Sequence, residues 1–527
     1  MKTLINLNLS AMKRCTHLIV LFSALLFSSG LLAQAGSPDL NFNGDGSLIF
    51  SFGSDGSYGK KTIIGNDGTI WLSGTSYNSA SQMGLAKVFP DGSLDLSFNF
   101  DGAIGVNVEG NEAQGENLDI QADGKILVCG SSALGSGDMA LARINPDGTL
   151  DNDFGGGDAR VRYDIGEFDN ARAVKAAPDG KIFLAGWTST NNIYKGVVAK
   201  LNSDGSLDSN FDGDGIRTFN INAESGFFDM ELLPDGKILL AGYTLAADYD
   251  FLVVRLNPDG SFDNSFGTNG WVELDFGNYY DYALAMDLAP NGKIVLTGVV
   301  AGGTFTAARL NADGSSDTSF SFDGVNFTNV GDFGESEDLI VQPDNKIVVV
   351  GYTYNSADGY YKFGAVRYTE TGLLDTEFGN NGILRLDVGD DGDDDYGYGV
   401  AIQSDGLIVI SGQSNSGGEE NFAVVRILSG LNVGLFEQGL EQIQSYVYPN
   451  PISAGQELQL EYELKEATEV TIQLVDLSGR SSQLLLGDRM AGKQKESLRL
   501  PANLAAGVYT IQIRTDKGIS SIRIEKF

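Results

Sequence analysis

The sequence predicts an all-β protein, a seven-bladed β-propeller followed by a small immunoglobulin-like β-sandwich. Three observations lead to this fold. Two turn signatures recur at steps of about 56 residues through most of the chain. Glycine is abundant, with 69 residues against 11 prolines, which indicates many tight turns. Over the last 80 or so residues, both the acidity and the repeat period disappear.

The first element is a leader. Lys2, Lys13 and Arg14 precede an apolar run from Leu18 to Leu32, and small residues follow at positions 33 and 35. This pattern is typical of a secretory signal peptide, so we expect residues 1–35 to be removed on export. The apolar run is shorter than the roughly 20 residues that a membrane-spanning helix needs, and no later segment approaches that length. The sequence therefore predicts an exported protein that is not transmembrane.

The second element, residues 36–428, consists of seven units. A turn of the type Asp-Gly-Lys-Ile marks each unit, and a second signature, Asp-Gly-Ser-Leu-Asp-x-x-Phe or a variant of it, occurs six times. One unit contains the runs IRTFNI, FFDMELL, ILLAGY and FLVVRLN with turns between them, which predicts four antiparallel strands. Four strands repeated seven times predict a seven-bladed propeller. Both signatures resemble those of the delta-60 repeat propellers, a family that implies this fold and brings no catalytic motif.

The third and fourth elements are a linker, residues 429–445, and a sandwich, residues 446–527. The last region carries ten acidic and ten basic residues and reads as six or seven short alternating strands. Its motifs are YPNP, VDLSGR and LAAGVYTIQI, which contain the following residues: Tyr448, Pro449, Asn450, Pro451, Gly479, Gly507 and Tyr509. They resemble the type A C-terminal sorting domain of type IX secretion. The resemblance implies the type IX secretion machinery as a partner and a secreted or outer-surface location in a Bacteroidetes-type bacterium.

Charge and histidine content exclude several functions. The formal net charge is −35, and residues 36–445 hold 60 acidic against 22 basic residues. Such a chain is repelled by nucleic acid and by anionic membrane surfaces. The one histidine, His17, lies in the leader, so the exported chain lacks the usual general base and the usual zinc ligand. We therefore expect a protein that is not an enzyme.

A ligand-binding surface is expected on one face of the propeller. The turns that carry the two signatures lie on one face, while the loops of the other face vary between units, as binding loops on a scaffold do. Aromatic and acidic side chains near these variable loops suit a glycan, peptide or protein ligand. The candidate residues are Trp187, Tyr243, Tyr279, Tyr280, Asp281 and Tyr352. The alternatives are a carboxylate-dependent extracellular hydrolase such as a glycosidase, a purely structural surface protein, and carboxylates that only keep the chain soluble.

Calcium is the one cofactor that the sequence suggests. Asp208, Asn210 and Asp212 match the opening of an oxygen-rich calcium loop, and the acidic run that contains Asp391, Asp393 and Asp395 offers a second candidate. The twelfth position of the first loop is Phe219, so the bidentate glutamate is missing. The repeat itself explains most of the match.

Closure of the ring is predicted from a fixed spacing. A basic residue near the end of the fourth strand is followed eight residues later by an aspartate in six units: Lys87 and Asp95, Arg143 and Asp151, Lys200 and Asp208, Arg255 and Asp263, Arg309 and Asp317, Arg367 and Asp375. We interpret each pair as an ion pair. Arg426 and Asp39, at the two ends of the array, lack such partners. A closed ring would bring them together and place the strand at 47–52 beside the last unit.

Overall fold

The structure is a computed structural model. It describes residues 34–108, 112–132, 137–277, 280–389, 392–431, 441–442, 445–448, 450, 452, 457–465, 467–476, 481–501, 504, 507–515 and 518–526. The predicted leader up to residue 33 lies outside these residues, as do Tyr279, Asp391, Pro449, Pro451 and Gly479.

Seven four-stranded antiparallel sheets account for most of the described residues. The first strand of the described residues is β1 (Ser47–Phe50), and six sheets follow in sequence order, each from its inner to its outer strand. Sheet 1 contains β2 (Ser57–Ile64), β3 (Ile70–Tyr77), β4 (Ser81–Val88) and β5 (Ala103–Val106). Sheet 2 contains β6 (Ala113–Ile120), β7 (Ile126–Ser132), β8 (Asp138–Ile144) and β9 (Arg160–Tyr163). Sheet 3 contains β10 (Phe168–Ala176), β11 (Ile182–Thr190), β12 (Ile193–Leu201) and β13 (Ile216–Thr218).

The remaining sheets repeat this plan. Sheet 4 contains β14 (Glu224–Leu232), β15 (Ile238–Leu245), β16 (Tyr249–Leu256) and β17 (Trp271–Leu274). Sheet 5 contains β18 (Tyr282–Leu288), β19 (Ile294–Val299), β20 (Phe305–Leu310) and β21 (Val325–Thr328). Sheet 6 contains β22 (Phe333–Val341), β23 (Ile347–Tyr354), β24 (Tyr361–Tyr368) and β25 (Ile383–Leu386). Sheet 7 contains β26 (Asp395–Ile402), β27 (Ile408–Ser414), β28 (Asn421–Ile427) and, as its outer strand, β1.

The sheets follow one another in a ring. Each inner strand contacts the inner strand of the next sheet, and β26 of sheet 7 contacts β2 of sheet 1. The middle strands are buried on both sides, as in β8, where every residue is buried. Cys129, in β7, is a free and fully buried cysteine in this core. The all-β, propeller-like fold is confirmed. The described residues contain no helix that is long and apolar enough to cross a membrane.

The sequence units and the sheets are offset by one strand, which corrects the predicted grouping. The run IRT of β13 pairs with β12 of sheet 3, and it does not start the sheet that contains β14. The segment between β12 and β13 returns the chain along the same sheet, where the Lys200 N–H donates to the Gly215 carbonyl (2.9 Å). Sheet 7 consequently lacks an outer strand from its own unit. β1 fills that place, with Ser47 opposite Val425 and Phe50 opposite Phe422.

An ion pair closes each repeat. In sheet 5 the Arg309 Nε lies 2.6 Å from Asp317 Oδ2, its Nη1 donates to the Glu370 carbonyl (2.6 Å), and the guanidinium lies 4.7 Å from the Phe320 ring centre. One side chain thus ties a strand end to its own turn and to the next sheet. The other internal pairs are Lys87–Asp95 (2.9 Å), Arg143–Asp151 (2.6 Å), Lys200–Asp208 (3.9 Å), Arg255–Asp263 (2.7 Å) and Arg367–Asp375 (2.8 Å). Arg426 Nη2 lies 2.7 Å from Asp39 Oδ2, and its Nη1 donates to the Pro90 carbonyl of sheet 1.

The C-terminal region forms two further sheets. One has the order β29 (Glu441–Gln442), β36 (Gly518–Lys526), β35 (Gly507–Arg514), β32 (Thr468–Asp476) and β33 (Ser481–Arg489). The other has the order β30 (Ser445–Tyr448), β31 (Leu458–Leu464) and β34 (Gly492–Leu498). Seven of these strands, β30 to β36, lie in the predicted sandwich region, in agreement with the six or seven strands expected there. The two-residue β29 lies inside the predicted linker.

The C-terminal sheets share their own apolar core, which includes Leu460, Ile472 and Ile511. Among the sorting-motif residues, Tyr448 ends β30 and its hydroxyl donates to Glu461 Oε1 (2.5 Å). Asn450 follows β30, Gly507 begins β35, and Tyr509 lies within β35. The immunoglobulin-like topology remains a prediction.

Candidate binding site at the channel mouth

A β-bulge interrupts the inner strand of every sheet. The inner strands are β2, β6, β10, β14, β18, β22 and β26, and we call the space along the ring axis that they surround the axial channel. In each inner strand one residue is skipped in the pairing with the second strand, and a bulge re-aims the side chain of such a residue. The bulge residues are Lys60, Glu116, Arg172, Phe228, Leu284, Glu337 and Tyr398.

A glycine opposite each bulge makes the bulge possible. In sheet 4 a Cβ on Gly242 would lie 1.9 Å from the Gly226 carbonyl oxygen, which no side chain tolerates. The same close approach, of 1.8 to 2.0 Å, occurs in the other sheets. The glycines are Gly74, Gly130, Gly186, Gly298, Gly351 and Gly412. In every unit this glycine ends the pattern Ile-x-x-x-Gly that follows the turn signature. This pattern is the signal by which the sequence could have revealed the bulges.

Several acids deeper in the channel have an architectural role. Asp229 Oδ2 accepts the N–H of Met286 on the next inner strand (2.8 Å), and Asp338 Oδ2 accepts that of Val400 (2.9 Å). Asp119 and Asp287 make equivalent bonds to Ala176 and Val341, at 2.7 Å each. The Lys61 ammonium lies 2.7 Å from Asp338 Oδ1, although its sheet is two places along the ring. These groups join the inner strands to one another.

The bulge residues themselves form a charged and aromatic layer. Glu116 and Arg172 pair at 2.9 Å, and the Arg172 guanidinium lies 5.2 Å from the Phe228 ring centre. The Lys60 ammonium lies 4.1 Å from the Tyr398 ring centre. The pKa of Glu337 is raised to about 7, mainly by burial and partly by Glu335, whereas Lys60 and Arg172 act in the opposite direction. Glu337 can therefore exchange a proton near neutral pH.

Two groups of aromatic rings connect this layer with the variable face, where the inner strands begin. The first group consists of Phe228, Tyr243, Tyr249, Tyr280 and Tyr282. Tyr280 is 65% exposed and lies 5.5 Å from Tyr249, which lies 5.3 Å from Tyr282. Tyr282 in turn lies 6.4 Å from Phe228 in the bulge layer. The Tyr249 hydroxyl donates to Glu224 Oε2 (3.0 Å). A continuous row of rings thus leads from solvent to Arg172.

The second group consists of Tyr352, Tyr354, Tyr361, Tyr396 and Tyr398. Tyr361 lies 5.3 Å from Tyr354 and 5.1 Å from Tyr396. Tyr396 stacks on Tyr398 at 6.3 Å, and Tyr398 is the ring beside Lys60. The Tyr352 hydroxyl donates to Glu335. Each aromatic row therefore ends at a basic side chain in the bulge layer.

The structure separates the binding residues that the sequence predicts. Tyr280 and Tyr243 belong to the first aromatic group, and Tyr352 belongs to the second. Tyr243 is only 7% exposed, so its role is to support the rings around it. Trp187 lies apart and packs edge-on against Tyr194 (5.2 Å). Asp281 is buried and accepts the N–H groups of Phe276 and Ala301, each at 3.3 Å, which gives it a structural role.

The basic residues of the channel were missed by sequence reasoning. Lys60 and Arg172 lie inside strands that look ordinarily amphipathic, so a search of the loops does not find them. Their signal is the bulge, which the glycine pattern on the neighbouring strand marks.

The predicted calcium ligands are engaged within the chain. Asp208 Oδ2 lies 3.0 Å from the Lys181 ammonium, and its Oδ1 accepts the side-chain amide of Asn210 (3.0 Å). Asp212 pairs with Arg217 at 3.0 Å. A calcium ion at this loop would have to displace these basic groups. In the second candidate, Asp395 Oδ2 accepts the Val388 N–H (2.7 Å), and Asp393 precedes β26.

Comparison with known families assigns both parts of the chain. Six segments match the family described as "Domain of unknown function (DUF5122) beta-propeller": residues 65–98, 121–154, 177–211, 233–266, 289–320 and 342–378. Residues 446–525 match the family described as "Secretion system C-terminal sorting domain". Such a domain directs type IX export to the cell surface or the medium and implies contact with the type IX machinery. A search of curated proteins finds no match.

Solved structures offer only distant similarity. Sqt1 from Chaetomium thermophilum is 11% identical over 76% of this chain and 99% of that chain, with a TM-score of 0.38. The acylaminoacyl peptidase of Pyrococcus horikoshii is 11% identical over 78% of this chain, with a TM-score of 0.34, and the match spans 59% of the peptidase. A PL25 ulvan lyase is 11% identical over 78% of this chain and 91% of that chain, with a TM-score of 0.26. We draw no functional argument from these proteins.

Proposed function

Because this chain belongs to the DUF5122 β-propeller proteins and ends in a secretion system C-terminal sorting domain, we propose that it acts outside the cell as a binding protein. Its ligand enters the axial channel from the variable face. The observation that supports this proposal is the pair of aromatic rows, each of which leads to a basic side chain in the bulge layer.

The chemistry of the mouth favours an oligosaccharide. Tyrosine rings offer apolar faces for sugar rings and hydroxyls for hydrogen bonds. Glu224, Glu335 and Glu337 offer acceptors for sugar hydroxyls beside the same rings. Lys60 and Arg172 add hydrogen-bond donors for sugar hydroxyls, and the charge of Arg172 is balanced by Glu116.

A glycan array and a peptide array, probed with the complete exported protein, test this function. The informative variant is Tyr280→Ala, since this ring is exposed and its loss removes one stacking surface. A matched control is Tyr446→Ala, because Tyr446 is 68% exposed and lies in the C-terminal region. We expect Tyr280→Ala to weaken glycan binding about tenfold, the effect of about 1.4 kcal/mol, and Tyr446→Ala to leave it unchanged. Binding to peptides alone, or equal binding by both variants, would contradict the proposal.

A second candidate function rests on Glu337. A carboxyl group with a pKa of about 7 is suited to general acid catalysis, and Glu335 supplies a second carboxylate on the same strand. The hydrolase alternative predicts release of reducing sugar from a bound glycan and loss of that release in Glu337→Gln. Binding without turnover in the unmodified protein would exclude it.

A further inference from the structure

Three aspartates that play no part in the channel mouth come together on the variable face between sheets 2 and 3. Asp138 begins β8, Asp164 follows β9, and Asp169 lies near the start of β10. One carboxylate oxygen from each lies within 4.8 Å of the others. Asp138 and Asp169 are each 2% exposed, whereas Asp164 is exposed.

One oxygen of this group is buried without a hydrogen bond. Asp169 Oδ2 accepts the N–H groups of Ile165 (2.7 Å) and Gly166 (3.2 Å). Asp169 Oδ1 is buried and has no hydrogen-bond partner among the described residues. Leaving a buried carboxylate oxygen unsatisfied is costly, so this atom calls for a hydrogen-bond donor or a cation beside it.

The chain supplies only part of the balancing charge. The Arg162 Nη1 pairs with Asp138 Oδ2, which leaves a formal charge of about −2 on the group of three carboxylates and one guanidinium. The carboxylates repel one another, and a divalent cation would neutralise them.

Two hydroxyls extend the set of oxygen donors. Ser132 is paired directly opposite Asp138, and Thr188 is paired directly opposite Asp169. Directly opposite residues of an antiparallel pair project from the same side of the sheet. The hydroxyl oxygens of both residues are buried and lack a hydrogen-bond partner among the described residues.

A comparison within the ring supports a cation at this position. Lys362 of sheet 6 occupies the place of Asp138, since each lies five residues before the arginine of its repeat ion pair. Asp387 and Asp395 occupy the places of Asp164 and Asp169. The Lys362 ammonium lies 3.7 Å from Asp387 Oδ2. In sheet 6, where a lysine stands in the place of Asp138, the chain therefore provides its own cation beside the aspartate that follows the outer strand.

We propose that Asp138, Asp164 and Asp169 bind a calcium ion that links sheet 2 to sheet 3. The donors are all hard oxygen atoms, with no nitrogen or sulfur ligand among the described residues of the group, and calcium accepts such ligands in an irregular geometry. Exposed Asp164 provides the route of entry. The site is distinct from the loop at Asp208, and it does not depend on the proposed glycan ligand.

Calorimetric titration of the metal-free, complete exported protein with calcium chloride tests this site. The titration extends to about 5 mM, above the dissociation constants of roughly 10⁻⁴–10⁻³ M found in extracellular modules. The variant is Asp164→Asn, because this residue is exposed and its replacement leaves the buried hydrogen bonds intact. The matched control is Asp158→Asn, which changes the charge by the same amount. Asp158 is exposed and lies just before β9, whereas Asp164 follows this strand.

We expect the unmodified protein and Asp158→Asn to bind one calcium ion more per chain than Asp164→Asn. The rise in melting temperature on adding calcium, beyond that caused by sodium chloride of equal ionic strength, should be smaller in Asp164→Asn. Equal stoichiometry and equal thermal shifts in the two variants would overturn the proposal, and so would the absence of calcium binding to the unmodified protein. Magnesium chloride in a parallel titration should bind at least tenfold more weakly, and equal affinity would contradict the assignment to calcium.

Discussion

Arg426 and Asp39 are 387 residues apart in the sequence, yet they form the ion pair that six other repeats form over eight residues. The Arg426 Nε lies 2.9 Å from Asp39 Oδ2, and the guanidinium lies 5.0 Å from the Phe42 ring centre, as the arginines of four other repeats lie over their own phenylalanines. The seam of the ring therefore reproduces the contacts of an ordinary repeat.

Replacement of Asp39 by asparagine is expected to destabilise the ring strongly. Removing one partner of a buried pair leaves the guanidinium uncompensated, which typically costs about 3–5 kcal/mol. Urea unfolding of Asp39→Asn should show this loss, and the exposed control Asp158→Asn should change the free energy of unfolding by less than about 0.5 kcal/mol. An unchanged free energy in Asp39→Asn would show that the seam does not hold the ring together.

Acid should unfold the propeller by protonating the repeat aspartates. Burial alone would raise the pKa of Asp263 and Asp317, but hydrogen bonds from serine, lysine and arginine hold both well below the ordinary value. Their contribution is fully present above the unfolded-state pKa of about 3.9 and is lost as the pH falls below it. The difference in unfolding free energy between the unmodified protein and Asp317→Asn should therefore be largest near pH 5 and should become small near pH 2. A constant difference over that range would contradict this origin of acid sensitivity.

Channel carboxyls should have the opposite effect between pH 4 and pH 7. Burial raises the pKa of Asp287 to about 7, so the folded state holds this proton more tightly than the unfolded state. The stabilisation is present below the ordinary pKa of about 3.9 and is lost as the pH rises to about 7. Asp287→Asn should flatten the decline in unfolding free energy between pH 5 and pH 7, measured by urea titration at each pH. If the unfolding free energy of Asp287→Asn declines as steeply as that of the unmodified protein, other groups cause the decline.

Alanine in place of Gly242 should destabilise sheet 4. The added Cβ would lie 1.9 Å from the Gly226 carbonyl oxygen, so the bulge has to move. We expect a loss of at least about 2 kcal/mol, at the upper part of the range for overpacked sites. Gly292→Ala is the control, because Gly292 has a φ of +78° but no atom within 4 Å of the new Cβ, which limits its cost to about 1 kcal/mol. Similar losses in both variants would show that steric contact is not the reason for the glycine.

Phe100 should be replaceable by glycine with a gain in stability. Its φ is +72° and its side chain is 96% exposed, so the residue carries backbone strain without packing. Gly44 and Gly213 hold the same place in other repeats. Phe100→Gly should raise the unfolding free energy by up to about 1 kcal/mol, since relief of strain exceeds the entropic cost of glycine. Leu96→Gly, an exposed position without positive φ, should lower it, and a loss in Phe100→Gly would indicate that the ring has contacts of its own.

Export should depend on the whole C-terminal region. Removal of residues 441–527 deletes a unit with its own core, so the remaining propeller should fold and stay in the periplasm. Cell fractionation measures this, with the complete chain as the control. Appearance of the truncated chain in the medium at the normal level would contradict the sorting role.

The sequence predicted the parts of the fold that follow from repetition. The eight-residue spacing identified the partners of Arg426, because a repeated contact leaves a repeated pattern. The offset between the sequence units and the sheets could not be predicted. The sequence does not show whether the first strand of a unit pairs with the preceding or the following sheet, because this depends on the geometry of the turns. Lys60 and Arg172 were missed for a related reason. The placement of their side chains depends on a bulge. A bulge changes the direction in which a side chain points, although the residue type stays the same.

The outer place in sheet 7 is filled by β1, which is exported before the rest of the propeller. β1 therefore remains an unpaired edge strand until β28, some 370 residues later, has also been exported. Sheets 1 to 6 can form behind it in order, but the seventh is incomplete until almost the whole propeller has crossed the membrane. The sorting domain, matched from residue 446, follows β28 after a short stretch of chain. Completion of the ring is thus soon followed by the arrival of the sorting domain, and a chain interrupted earlier carries an open edge and lacks that domain.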